Sequence, residues 1–192
     1  GPPQDPATEI GPLANAMHYE RVCNFVEQAR QDGGELLTGG GRPDGLERGF
    51  YLEPTAVLAS SNANAVCQDE IFGPFAVFQR FDDFDDAISI ANDSRFGLAS
   101  YLWSNDLGQC LQAAQRIQAG TVLVNTPMTT DLRFPFAGYK DSGLGREGLD
   151  GFRHLYSDEK TVTVALRRPS MARLGTNDLP PSAAPNFLEN PG

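Results

Sequence analysis

Residues 75–124 constrain the fold more than any other stretch of this chain. An apolar run at 75–81 is followed by Asp82-Asp83 and a stripe of Phe84, Ala87, Ile88 and Ala91 at helical spacing. A second apolar run at 98–103 leads to a second stripe, Leu107, Cys110, Leu111 and Ala114, and then to Thr121-Val122-Leu123-Val124. The acidic pair is suited to cap the first helix and Gly120 to close the second. Strand, helix, strand, helix, strand is the order that parallel pairing demands, because parallel neighbours need a long crossover between them. The expected class is therefore α/β, with a parallel sheet covered by helices.

The flanking segments add elements around this centre. Residues 3–12 form an irregular lead-in broken by prolines. Asn15 can cap a helix reaching about Asp32, with Val22, Phe25, Val26 and Ala29 as its buried stripe and Gly33-Gly34 as its stop. A short strand at 35–38 and a glycine-rich surface loop at 39–49 come next. Residues 50–58 contain Pro54, which restricts them to an edge strand at best. Residues 60–65 read as a turn leading into Gln68-Asp69-Glu70-Ile71-Phe72-Gly73-Pro74. That heptamer reads either as a solvated acidic turn or as a carboxylate placed at a sheet edge to accept hydrogen bonds from ribose hydroxyls. The loop 125–138 follows the last strand, where ligands gather in such folds. Gly143-Leu144-Gly145-Arg146-Glu147-Gly148 follows a loop rather than a strand, so it fails as a dinucleotide phosphate fingerprint and reads as a turn feeding a short helix to about His154. Residues 161–166 form a strand set apart from the sheet, and 167–192, with five prolines, form a flexible tail.

Composition excludes several classes of function. The formal net charge is −10 over 192 residues, which disfavours nucleic-acid binding because phosphates must be neutralised by Lys and Arg. No apolar run approaches the roughly 18 residues of a membrane span, and no basic amphipathic helix suits a membrane surface. Cys23, Cys67 and Cys110 lie far apart and only His18 and His154 accompany them, so no metal site is expected. Unpaired cysteines point to a reducing compartment, the cytoplasm. Gly1-Pro2 without a starting Met reads as the remnant of a cleaved tag, with the natural protein longer than this sequence.

An ordered series of short motifs carries a family resemblance. It begins with Asp5-Pro6-Ala7-Thr8-Glu9-Ile10-Gly11-Pro12, Gly39-Gly40-Gly41 and Gly49-Phe50-Tyr51-Leu52-Glu53-Pro54-Thr55. Glu70-Ile71-Phe72-Gly73-Pro74, Ala91-Asn92-Asp93-Ser94, Phe96-Gly97-Leu98-Ala99 and Ala119-Gly120-Thr121-Val122 continue it. Asn125, then Pro135-Phe136-Ala137-Gly138-Tyr139-Lys140-Asp141-Ser142-Gly143, Gly145-Arg146-Glu147 and Lys160-Thr161-Val162 close it. In that order and spacing, the chain from Asp5 to Leu166 resembles the C-terminal part of the NAD(P)-dependent aldehyde dehydrogenases, with Ala137 where the family usually has Gly.

The resemblance implies a catalytic-domain portion at 3–158, a strand for subunit pairing at 159–166 and hence a homo-oligomer. It implies that Glu70 holds the nicotinamide-ribose hydroxyls, that Phe72 and Leu98 line the nicotinamide side, and that His18 and Arg21 approach the adenosine ribose. Phe136 resembles the aromatic wall of the aldehyde pocket, and Met128, Thr129 and Thr130 match the loop that shapes substrate choice. Arg133, three residues before Phe136, is placed to pair bidentately with a carboxylate, which points to an acidic semialdehyde. The family's cysteine nucleophile, its general-base glutamate and its dinucleotide-binding region precede the matched part. The chain alone is thus expected to bind NAD or NADP weakly or not at all and not to oxidise aldehydes. Half of a split enzyme, or a non-catalytic module that kept the fold for assembly, are the alternative readings.

Overall fold

The computed structural model describes residues 1–126 and 131–164. The chain divides into two compact units, Gly1–Leu155 and Tyr156–Gly192. In chain order the elements are α1 (Ala16–Gln31), β1 (Glu35–Thr38), β2 (Thr55–Leu58), α2 (Ala65–Gln68), β3 (Phe75–Phe78) and α3 (Phe84–Asn92), then β4 (Phe96–Gly97), β5 (Ala99–Leu102), α4 (Leu107–Arg116), β6 (Thr121–Val124), β7 (Tyr139–Lys140) and α5 (Leu149–Tyr156).

Local chemistry sets the helix ends. Asn15 Oδ1 accepts the His18 backbone N–H at 2.9 Å, Asp83 Oδ1 that of Asp86 at 2.9 Å and Asp106 Oδ1 that of Gln109 at 3.0 Å. Each cap satisfies a donor that the first helical turn leaves open. Asp85 and Asp86 in the first turn of α3 add favourable charge at the positive end of its dipole. Gly33, at φ 78°, takes the left-handed turn that ends α1. The stripe of α1 is buried at Val22, Val26 and Ala29, and Val22 and Ala29 pack with Leu52, Val57, Val66 and Ile71 into one core.

The sheet differs from the expected one. β2 pairs parallel with β3 and β5 parallel with β6, but β3 and β5 belong to separate sheets. β1 joins β2 antiparallel, and β4 pairs antiparallel with β7. A crossover helix dictates the direction of the following strand but not its neighbour, so α3 delivers a strand of the right sense into a different ladder. Strand β2 is central rather than an edge. Its ladder starts at Thr55, whose N–H donates to Pro74 O at 2.8 Å, so the N–H that Pro54 lacks is never called upon.

Other boundaries shift for similar reasons. The run 75–81 stays in the ladder only to Phe78. The run 98–103 is in a ladder only over Ala99–Leu102, because the chain leaves the β4–β7 pair at Gly97 and enters the β5–β6 pair at Ala99, with Leu98 at the switch. Helix α4 ends at Arg116, well before Gly120, and buries Cys110 and Ala113 while Leu107 and Leu111 are exposed. Residues 161–164 form no strand, and Val162 and Val164 are exposed; the remainder of the expected 161–166 strand and the 167–192 tail lie outside the described residues. Among the described residues, no helix is long and apolar enough to cross a membrane.

Candidate functional site

The heptamer 68–74 leads from the end of α2 to β3 and turns one side chain into the core. Ile71 is buried in the core cluster, while Glu70 and Phe72 on either side are exposed. Phe72 has φ 57°, a left-handed conformation that costs a residue with a Cβ about 1–2 kcal/mol. Strain of this kind persists only where surrounding contacts over-determine the backbone. Those contacts come from α1. Arg21 donates from Nη1 to Ile71 O at 2.7 Å and from Nη2 to Glu70 O at 2.5 Å, and His18 Nε2 lies 2.5 Å from Phe72 O.

Glu70 faces a cleft of about 330 Å³ that it shares with Ser94, Phe96, Leu98 and Ser142. A second, larger and mainly apolar cavity of about 900 Å³ adjoins it, walled by Tyr101 and Val122, by Asp131 in the loop after β6, and by Phe134 and Phe136. Leu98 and Ala99 line both. These two residues stand where the backbone passes from the β4–β7 ladder to the β5–β6 ladder.

Several backbone anchors hold the walls. Ser142 Oγ accepts the Gly97 N–H at 2.9 Å, and Lys140 Nζ donates to Asn92 O at 2.6 Å and Ser94 O at 2.7 Å at the carboxyl end of α3. A cation there satisfies carbonyls that the helix leaves open. Asn125 adopts φ 51° and bonds Ser104 through both ends of its amide, at 2.9 and 2.7 Å.

The expected site residues are thus placed as follows. Glu70 lines the smaller cavity, Phe136 the larger and Leu98 both, and Phe72 is exposed beside Glu70 without lining either. His18 and Arg21 turn their donors onto loop carbonyls. Met128, Thr129 and Thr130 lie outside the described residues. Arg133 is not among the residues lining either cavity, and its guanidinium is paired with Asp131. Arg133 Nε donates to Asp131 Oδ1 at 2.9 Å and Nη2 to Oδ2 at 2.5 Å. An aspartate two residues before an arginine in a loop is the local signal for such a pair. Tyr101, Phe134, Ser142 and Lys140 escape a reading of the sequence, because nothing local distinguishes a cavity wall from an ordinary strand or loop.

The Arg133 guanidinium holds the Asp131 carboxyl below its ordinary range. A carboxyl lowered on folding contributes stability above its unfolded pKa and loses it as the pH falls through the folded value. The pair should therefore open only in acid, below about pH 4. NMR titration should find Asp131 low in the wild type and back at its ordinary value in Arg133→Gln; an unchanged Asp131 in that variant would refute the assignment.

Cysteine chemistry is absent from the described cavity walls. Cys67 is half-buried with Sγ 3.5 Å from Ser61 O, and burial pushes its thiol up, away from the thiolate a nucleophile needs. Cys110 is buried, with Sγ 3.8 Å from Ser104 O. No group of metal-ligating side chains occurs among the described residues.

Comparison with known proteins shows the family. The pattern of the aldehyde dehydrogenase family matches residues 1–162, and the chain belongs to that family. It is 41% identical over 180 residues to hydroxyisobutyraldehyde dehydrogenase of Mycolicibacterium austroafricanum, covering 90% of this chain and 34% of that protein. With betaine aldehyde dehydrogenase of Brucella melitensis biotype 2 it shares 38% identity over 169 residues, covering 86% of this chain and 34% of the relative. Among solved structures, HpcC from Thermus thermophilus superposes with a TM-score of 0.87 at 38% identity, over 92% of this chain and 35% of that one. A Mycobacterium tuberculosis aldehyde dehydrogenase complexed with NAD+ does so with a TM-score of 0.75 at 42% identity, over 80% and 32%. The chain thus spans about a third of the length of the relatives it matches.

Proposed function

We propose that this chain is the C-terminal portion of an enzyme that oxidises an aldehyde to a carboxylic acid with NAD or NADP. The observation that carries the reading is the wall, Leu98 and Ala99, that the Glu70 cleft shares with the apolar cavity lined by Phe136. A carboxylate at the mouth of the smaller space suits two vicinal ribose hydroxyls, which need acceptors. That space matches one end of a dinucleotide and not the whole, so Glu70 and Leu98 would hold the nicotinamide-ribose end alone, with Phe72 beside them outside the cleft. When bound, the nicotinamide supplies the hydride acceptor. Phe136, Phe134 and Tyr101 would seat the aldehyde and keep water from it.

Asp131 reaches the cavity already neutralised by Arg133, so the pair offers a substrate no net charge. An uncharged aldehyde is the better fit, in place of the acidic semialdehyde that Arg133 alone suggests. None of the three cysteines lines either cavity, so the 192-residue chain by itself should lack the nucleophile. Its three unpaired thiols suit a reducing compartment such as the cytoplasm.

One set of assays tests the whole reading. The full-length protein that carries this chain should reduce NAD or NADP with neutral aldehydes in preference to acidic ones, and the 192-residue chain alone should reduce neither. A thiol-sensitive rate from the short chain, or a preference for acidic aldehydes, would contradict it.

A further inference from the structure

Three successive carbonyls of the Glu70 loop are gripped by two side chains one helical turn apart on α1. Arg21 takes Glu70 O and Ile71 O, at 2.5 and 2.7 Å, and His18 takes Phe72 O, at 2.5 Å. The loop lies between α2 and β3, and none of these three residues belongs to a strand. The partners are 49 to 54 residues apart in sequence, so the contact is wholly tertiary.

Three further features hold the same arrangement. The Phe25 ring lies 5.1 Å from the Arg21 guanidinium carbon, which keeps the fork oriented. Gly73 abuts Val22 of α1 so closely that a Cβ on it would stand 2.8 Å from a Val22 methyl, so the loop reaches the helix only because residue 73 has no side chain. Arg95 pairs with Asp69, the residue before Glu70, at 3.2 Å. Together these contacts hold Phe72 in its left-handed conformation and set the direction in which the Glu70 side chain leaves the backbone.

We propose that Arg21, assisted by His18, is a positioning residue: it fixes the backbone of the Glu70 loop and acts on the cofactor through Glu70, without touching the cofactor. The inference rests on the reading that Glu70 holds the ribose. Its physical basis is preorganisation, since a carboxylate that must meet two hydroxyls at once loses affinity when its backbone is free to wander. Arginine suits the task because its planar fork holds two neighbouring carbonyls in a fixed geometry, whereas a lysine ammonium is a point charge on a flexible stem.

The test uses the full-length protein with Arg21→Met, Arg21→Lys, Glu70→Gln and the Arg21→Met/Glu70→Gln pair, and Arg30→Ala as a control elsewhere on α1. Hydrogen exchange should quicken by about tenfold at the amides within 69–74 (Pro74 has none) in Arg21→Met, with α1 and β3 unchanged. Arg21→Lys should fall between Arg21→Met and wild type, and it serves as the test variant if Arg21→Met does not fold. The Michaelis constant for NAD should rise by about tenfold in Arg21→Met, the loss expected for one charge-assisted hydrogen bond. In the Glu70→Gln background the same substitution should change it less than about twofold, because the residue through which Arg21 acts is already disabled. Arg30→Ala should move neither readout. Additive effects in the double variant would show direct contact with the cofactor and overturn the proposal. Unchanged exchange at 69–74 would overturn it whatever the activity, and wild-type protein inactive with NAD and NADP would overturn the reading of Glu70 while the exchange result still judged the clamp.

Discussion

Gly120→Ala should be the most damaging single substitution in this chain. A Cβ at Gly120 would stand 1.6 Å from Ala137 O and 2.7 Å from its carbonyl carbon, a contact with backbone that no rotamer change relieves. Gly120 begins the turn into β6, with its N–H on Gly97 O at 3.0 Å, and Ala137 follows Phe136 on the cavity wall. Relief requires that either the 134–138 segment or the start of β6 move away. Overpacking against fixed backbone costs about 3 kcal/mol or more, which in a protein of this size lowers the unfolding midpoint by about 6–12 °C. Gly45 is the informative control. It has φ 77° and open space around its Cβ position, so alanine there meets only the left-handed penalty, about 1–2 kcal/mol. Unfolding curves in which both variants lose the same stability would refute the argument from close approach.

Glu70→Gln should separate function from stability in the opposite sense. Glu70 is exposed, and the loop around it is held through backbone carbonyls and not through its carboxylate. Surface changes of this kind leave stability within about 0.5 kcal/mol. Glutamine keeps the shape but exchanges one acceptor oxygen for a donor, so one of two ribose hydroxyls loses its partner. A charge-assisted hydrogen bond contributes about 1.5–3 kcal/mol, so kcat/KM for the cofactor in the full-length protein should fall by at least about tenfold. Loss of folding stability with unchanged cofactor kinetics would instead make Glu70 a structural residue.

Much of the architecture is legible from residues close together in the chain. Asn15, Asp83 and Asp106 cap their helices through bonds that span three residues, and the buried stripe of α1 follows from helical spacing. The strands at 35–38 and 121–124 have the bounds their composition suggests. The same local logic fails where pairing is at stake. Nothing near residue 98 announces that the chain changes ladders there, and Pro54 misleads because its exclusion from a central strand holds only inside the ladder.

By itself, then, the sequence determined helices α1, α3 and α4, the amino-terminal caps of α1 and α3, and membership of the aldehyde dehydrogenase family, since those depend on neighbouring residues or on motifs in order. The short α2 and the end of α4 at Arg116 did not follow from it. Only the tertiary structure decided which polar groups are already engaged. Arg133 has the chemistry of a substrate contact, but Asp131 occupies its fork. His18 and Arg21 have the chemistry of cofactor contacts, but in the fold they donate to three carbonyls 49 to 54 residues away. A side chain's residue type sets what it can bind, whereas the folded chain sets which partner reaches it first.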